Sequence, residues 1–356
     1  MRSYDDDALP LQPPIRLPDA ATLASAVRAA PLAGELKALL DPPDTPQAGP
    51  PDAPQADPDA LQAGQGDASQ AGQGDEQGEE QGDERAGDAR VLEAWARVCR
   101  ARLAADERLL LELIRMFLSR EPVAGRAPQA LTDLGLVRQA EPYTLSWLGL
   151  WVARLIIAET AGQEIPVMGT LAGADAATLL HGLRSYPEAE RSEELAGWLA
   201  GRDRERAAAE IAGALAGVSP LSRAVGVELL ESSLGEEGRR ALRGLLEEPR
   251  LGAVVAARTG REDRRPTPDE IAWVLVDMAA ALLEFGGGEA GEVIDSIAMG
   301  MDAEEQAGTI AILAFGDHPW TGRVLRVVID HHPDERVTAA ARKALRRLRG
   351  LADIRT

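Results

Sequence analysis

The sequence predicts an all-α protein in which a smaller helical module and an acidic insert come before a long succession of helices. Hydrophobic residues make up 45% of the 356 residues, but aromatic residues make up only 3%. Alanine and leucine fill most apolar positions, and both are strong helix formers. Apolar residues recur at i, i+3, i+4 and i+7 along several segments, and glycine, proline or aspartate stands in most of the breaks between them.

Composition also restricts the function. The net charge of −20 argues against nucleic-acid binding, because proteins of that class carry a basic footprint. The start of the chain is acidic and proline-rich and lacks the basic and apolar regions of a signal peptide, which predicts a cytoplasmic protein. The longest apolar run, residues 147–153, is too short to cross a bilayer, so no membrane association is expected.

Residues 1–40 form the first predicted region, with one or two short helices that need the rest of the protein to pack against. Several of its apolar residues would share one helical face. They are Leu23, Val27, Ala30, Leu36, Leu39 and Leu40.

Residues 41–90 form the second region, an acidic low-complexity linker. Octapeptides occur in tandem, PPDTPQAG with PPDAPQAD and QAGQGDAS with QAGQGDEQ. The segment holds 13 acidic and 2 basic residues and so carries a charge of −11. It cannot bury enough apolar surface to offset its conformational entropy, which predicts disorder. The repeated GQGD letters lack the apolar residue of a calcium-binding nonapeptide, so calcium is not expected.

Residues 91–170 form the third region. Two amphipathic helices are followed by a short helix that Gly135 ends, an extended segment at 143–145, and a helix that Ser146 caps and Gly162 closes. This order, with LTDLGLV before YTLS, resembles a winged helix-turn-helix, and the resemblance implies DNA binding. The short helix carries only one side chain of the kind that reads bases, Gln129, and the acidic Asp133 adds a charge that repels DNA. These two features favour a winged-helix fold that is used for protein contact.

Residues 171–356 form the fourth region, a succession of ten predicted helices with short breaks. The predicted spans are 174–186, 192–200, 204–216, 220–233, 236–247, 267–285, 289–299, 303–315, 319–331 and 333–351.

The last of these helices carry the clearest pattern. Asp317 is predicted to cap a helix that Pro319 opens, and Pro333 with Asp334 opens the next one. The arrangement D-x-x-V-x-x-x-A-x-x-A-L-x-x-L over residues 334–348 resembles the second half of a HEAT repeat, with weaker units at 219–248 and 267–298. The resemblance implies a stacked helical solenoid, a HEAT-like or armadillo-like protein whose concave face holds a protein partner. The segments IRLPDAATLASAVRAAPL, YTLSWLGLW and HHPDERVTAAARKAL are also similar to uncharacterised proteins of high-GC actinobacteria.

No residue is predicted to be catalytic, to bind a cofactor or to ligate a metal, and no enzyme activity is expected. The histidines His318, His331 and His332 could form a zinc site. Their positions at helix ends favour instead a local structural role in the loops between helices. His181 has no identifiable partner in the sequence. Cys99 lies in an apolar-periodic helix, which predicts a buried structural thiol. Residues 286–288, three glycines, lack the Lys-Ser/Thr of a phosphate loop and predict a turn.

A basic cluster marks the last helix. It consists of Arg342, Lys343, Arg346, Arg347 and Arg349. A solvated terminal face is one interpretation, and an anchor for the acidic tract, in the same chain or another copy, is the alternative. The sequence therefore predicts a non-enzymatic scaffold that binds a protein partner, with this cluster as a possible interaction surface. The alternative function is a DNA-associated transcriptional regulator that uses the winged-helix-like segment.

Overall fold

The computed structural model describes residues 13–34, 76–162, 164–260, 265–285, 290–298 and 300–355. Their regular secondary structure is almost entirely helical, with two strands of two residues each, which confirms the all-α prediction. They fall into two compact units, Ile15–Glu164 and Ile165–Thr356, called here the N-terminal and C-terminal units. Among the helices of the described ranges, none has the length and apolarity that a bilayer crossing requires.

The N-terminal unit contains five helices within the described residues and one small hairpin. The helices are α1 (Ala20–Ala29), α2 (Glu76–Ala104), α3 (Glu107–Ser119), α4 (Gln129–Asp133) and α5 (Trp147–Ala161). Strands β1 (Val137–Arg138) and β2 (Thr144–Leu145) are antiparallel, with Val137 opposite Leu145. An isolated antiparallel bridge joins Val123 to Tyr143.

The helix α2 begins earlier than the sequence predicts. Residues 76–90 were assigned to the acidic linker, but the structure places them in α2, so the predicted linker boundary at residue 90 is wrong. Glutamate, glutamine, alanine and arginine are strong helix formers, and they make up most of this stretch. Residues 35–75, which include most of the predicted linker, lie outside the described residues.

The start and end of α5 follow the predicted capping chemistry. The Ser146 hydroxyl accepts a hydrogen bond from the backbone N–H of Gly149 at 3.0 Å, and Gly162 ends the helix with a φ of 65°. Gly149 also permits a close approach, because a Cβ at this position would stand 2.0 Å from the carbonyl oxygen of Leu136. The hairpin and α5 therefore pack backbone to backbone at this point.

The C-terminal unit is a succession of helices with a π-helical turn, Leu229–Ser233, at the end of α9. The helices are α6 (Ala176–Leu183), α7 (Glu188–Leu199), α8 (Arg204–Ala214), α9 (Pro220–Glu228), α10 (Gly235–Leu245), α11 (Leu251–Arg258), α12 (Pro268–Glu284), α13 (Ala290–Ala298), α14 (Ala303–Ile312), α15 (Thr321–His331) and α16 (Glu335–Arg355). Each of the ten predicted helices is present, with ends that differ by a few residues.

Two local predictions are wrong. Helix α11 was missed because all five residues from Leu251 to Val255 are buried, so the segment shows no one-sided apolar stripe. Asp317 does not cap α15, which begins after Trp320 without a side-chain cap. Instead, an Asp317 carboxylate oxygen pairs with Arg250 Nη2 at 2.8 Å.

The C-terminal unit has two apolar cores. The first comes from α6 to α11 and is centred on large buried side chains such as Trp198 and Leu180. The second comes from α12 to α16 and is built from smaller residues such as Ala279, Val324 and Ala341. The junction between the two cores is where the charged residues described below are buried.

Candidate functional site

Helix α12 carries its polar and apolar residues in an unusual arrangement. Three carboxylate side chains at heptad spacing are buried, and the residue after each one is a large apolar side chain that is exposed. The buried residues are Glu270, Asp277 and Glu284, and the exposed ones are Ile271, Met278 and Phe285. Residues seven apart lie on nearly the same face of a helix, so α12 turns one acidic face inwards and one apolar stripe outwards.

Asp277 is the centre of the buried charge. Its Oδ1 accepts a hydrogen bond from Arg223 Nη1 and lies 3.4 Å from His318 Nε2. Its Oδ2 lies 3.7 Å from Arg258 Nη2, and no hydrogen-bond donor of the described residues reaches this oxygen. Burial lowers the pKa of the Arg258 guanidinium, whereas the charge of Asp277 acts in the opposite direction.

Arg223 brings α9 to this carboxylate. Its Nε donates to the carbonyl of Leu215 and its Nη2 to that of Val218, each at 2.9 Å. The guanidinium also lies over the ring of Trp273, 5.1 Å from the ring centre. With 5% of the residue exposed, Arg223 is fixed on all sides by α12 and by the segment that enters α9.

Glu284 makes a second buried ion pair two turns further along α12. Its Oε1 accepts from Arg184 Nη1, and its Oε2 accepts from the backbone N–H of Leu221 at 2.9 Å. Arg184 Nη2 lies 3.3 Å from His181 Nε2, so His181 does have a partner, contrary to the expectation from the sequence. His181 and Arg184 are only three residues apart, so the sequence offered this pair, whereas Arg184 and Glu284 are a hundred residues apart.

His318 was predicted to have a local role in a loop at a helix end, but its side chain is buried, with 4% of the residue exposed. Its Nδ1 accepts from the backbone N–H of Trp320 at 3.2 Å, and its Nε2 faces Asp277. The Trp273 ring packs against it edge to face, with ring centres 4.4 Å apart. Both ring nitrogens are thus engaged inside the protein.

The charged residues connect the two apolar cores. Arg184 and Arg223 come from helices of the first core, and their carboxylate partners come from α12 of the second. The buried ion pairs therefore join the two halves of the unit. On one side the network borders a cleft of about 660 Å³ lined by Trp273, His318 and Trp320, among others.

The network also borders a groove, through Arg184 and Arg258. Between α11 and α12 lies an apolar hollow of about 170 Å³, with Ile271 at its edge. It shares Ala257 with a larger cleft of about 560 Å³. That cleft is lined by Met278 and Phe285 together with charged residues that include Arg191 and Arg258. The exposed stripe of α12 runs along both, and we call this surface the α12 groove.

The five basic residues that were selected from the sequence lie on α16 and are all exposed. None of them makes an ion pair with any residue that the structure describes. The Arg347 guanidinium lies 3.8 Å from the ring centre of Phe315, which is 52% exposed. The structure thus brings the five together on one surface, called here the basic face.

The remaining predicted residues have local roles. His332 Nε2 lies 2.9 Å from the Gln306 side-chain oxygen, and its Nδ1 accepts from the backbone N–H of Asp334 at 3.0 Å. The described residues contain no cluster of three potential metal ligands. Cys99 is fully buried, as predicted, and burial raises the pKa of its thiol to about 12. The three glycines at 286–288 lie outside the described residues.

The segment that resembles a recognition helix is short. Helix α4 has five residues, and the side-chain amide of Gln129 donates to Asp133 at 2.7 Å. The one base-reading side chain of this helix is therefore bound within the helix. The neighbouring Arg138 lies over the ring of Trp147 at 5.4 Å.

Within the buried network, only His318 and His181 were singled out from the sequence. A signal was present in the heptad repeat of an acidic residue followed by an apolar one, at 270–271, 277–278 and 284–285. The partners Arg184, Arg223 and Arg258 carry no such pattern. No family model, no curated protein and no solved structure matches the chain.

Proposed function

We propose that this chain is a non-enzymatic protein-binding scaffold and that the α12 groove holds a protein partner. The observation that carries the proposal is the exposed stripe of Ile271, Met278 and Phe285 beside the apolar hollow. Exposed apolar groups arranged along one line, with a hollow beside them, are typical of interaction surfaces. Covering what remains exposed of the three side chains would contribute on the order of 3 kcal/mol, about a hundredfold in affinity.

The buried network supports this function by making the groove rigid. Since Asp277 and Glu284 are bound by arginines from other helices, α12 cannot rotate to hide its apolar stripe without breaking two buried ion pairs. The same contacts favour a binding role over catalysis, because the Glu284 carboxylate, Asp277 Oδ1 and both nitrogens of His318 are already engaged. We further propose that residues 171–356 form a HEAT-like stack and residues 91–170 a winged-helix-like module used for protein contact.

The alternative function, a DNA-associated regulator, has less support. A DNA reader needs base-reading side chains that are available to base edges, and Gln129 is bound to Asp133. Gel retardation of a short duplex by the full chain at about 50 mM salt, where phosphate contacts are strongest, would test this alternative.

Affinity capture from host lysate tests the main proposal when three forms of the full chain are compared. The variant Ile271→Ser/Met278→Ser/Phe285→Ser removes the stripe, and Leu111→Ser/Leu118→Ser is the matched control, because these leucines of α3 are 57% and 47% exposed. We expect the wild type and the control to capture the same protein in similar amounts. The triple variant should capture at least about tenfold less of it. Equal capture by all three forms would contradict the proposal.

A further inference from the structure

The basic face of α16 differs from several, but not all, of the other exposed arginines in the C-terminal unit. Several of those have a carboxylate oxygen within 4 Å, namely Arg206, Arg239, Arg240, Arg243 and Arg336. The five residues of the basic face have none among the described residues. In a chain with a net charge of −20, a group of five cations with no carboxylate partner among the described residues is therefore a local feature and not a consequence of composition.

The geometry of the basic face is that of a narrow strip. Arg342, Arg346 and Arg349 follow one another at helical spacing and span about 10 Å along the axis. Lys343 and Arg347 form a second row beside them. Helix α15 packs closely alongside, because a Cβ added at Gly322 would stand 3.7 Å from the Leu348 side chain.

An apolar side chain accompanies these charges. Phe315 is half exposed, and the guanidinium of Arg347 lies over its ring at 3.8 Å. This contact holds Arg347 in place while one side of the ring remains open. The surface therefore offers cations together with one apolar contact, and not cations alone.

We propose that the basic face binds an acidic peptide segment of a partner protein, with carboxylates on the arginine strip and an apolar side chain against Phe315. Charge complementarity requires an anionic occupant. The size of the strip favours a short peptide over a nucleic acid, because a long polyanion would also have to follow the surface of a chain whose charge is −20. This surface is independent of the α12 groove, so the two proposals can fail separately.

Fluorescence anisotropy with the full chain tests the proposal. The probe is a labelled peptide of about ten glutamates with one central phenylalanine, which in extended form is longer than the strip. We expect binding at about 50 mM salt that weakens several-fold at about 300 mM, because exposed charges are screened. Arg342→Gln/Arg346→Gln should weaken it roughly fivefold. Arg239→Gln/Arg243→Gln is the matched control, since it removes two exposed charges that pair with Glu236, and should leave binding unchanged.

Two kinds of result would overturn the proposal. The first is absence of peptide binding at low salt, or an equal loss in the control variant. The second is tighter binding of a single-stranded DNA oligonucleotide or of phosphatidylserine vesicles, abolished by Arg342→Gln/Arg346→Gln, which would assign the surface to that ligand instead. All four substituted positions are exposed, so both variants should keep the melting temperature of the wild type.

Discussion

Replacement of Asp277 by asparagine removes one negative charge from the junction of the two apolar cores and keeps the size of the side chain. In the wild type this carboxylate is fully buried and contacts Arg223, His318 and Arg258. In the variant, Arg223 retains its positive charge at 5% exposure with no carboxylate beside it. Leaving one member of a buried ion pair without its partner costs about 3–5 kcal/mol, so the free energy of unfolding should fall by about that amount.

Thermal unfolding of the full chain, followed by circular dichroism, measures this loss. For a unit of this size, 1 kcal/mol corresponds to about 2–4 °C, so the transition of the C-terminal unit should fall by roughly 10 °C. Glu205→Gln is the matched control, because its ion pair with Arg240 is exposed and should contribute less than about 1 kcal/mol. A decrease for Asp277→Asn that is no larger than that of the control would refute the reasoning.

A double substitution separates the unpaired charge from the loss of the contact itself. Arg223→Met/Asp277→Leu replaces both members with apolar side chains, so that of the two arginines beside Asp277 only Arg258, whose side chain is 21% exposed, keeps an unpaired charge. Because such replacements are often neutral, the double variant should be more stable than Asp277→Asn. A double variant at least as unstable as the single one would show that the cost does not come from the unpaired charge of Arg223.

The remaining predictions concern single positions. The pKa of Cys99 is raised from 9.0 to about 12, so the unfolded thiol ionises first as pH rises. Stability should then fall above pH 9 by up to about 1.4 kcal/mol per pH unit, and denaturant titrations of Cys99→Ala should lack this slope. Gly238→Ala should destabilise by more than about 1 kcal/mol, because its Cβ would stand 1.9 Å from the carbonyl oxygen of Leu230. Gly244→Ala on the same helix has nothing within 4 Å and should be neutral or stabilising in the same thermal assay. Thr267→Ala should lower stability by about 1 kcal/mol, since it removes the cap of α12, and an unchanged melting temperature would contradict this.

Local chemistry was sufficient to predict most of the helices from the sequence. Ser146, Gly162 and Thr267 end or begin helices because their side-chain or backbone preferences act within a few residues. The burial of Cys99 and of Ala341 followed from one-sided apolar spacing. The five residues of the basic face were also identifiable, since their spacing on one helix decides which side they share.

The tertiary structure alone decided the buried network. Arg223 has the sequence appearance of an ordinary helix residue, and its role follows from the approach of Asp277, 54 residues away in the chain. A buried charge is tolerated only where an opposite charge and hydrogen-bond acceptors are brought to it, and that arrangement depends on helix packing. For the same reason, the sequence by itself determined the helices and the exposed strip of cations. The fold decided which carboxylates are buried, and so which apolar side chains of α12 remain exposed.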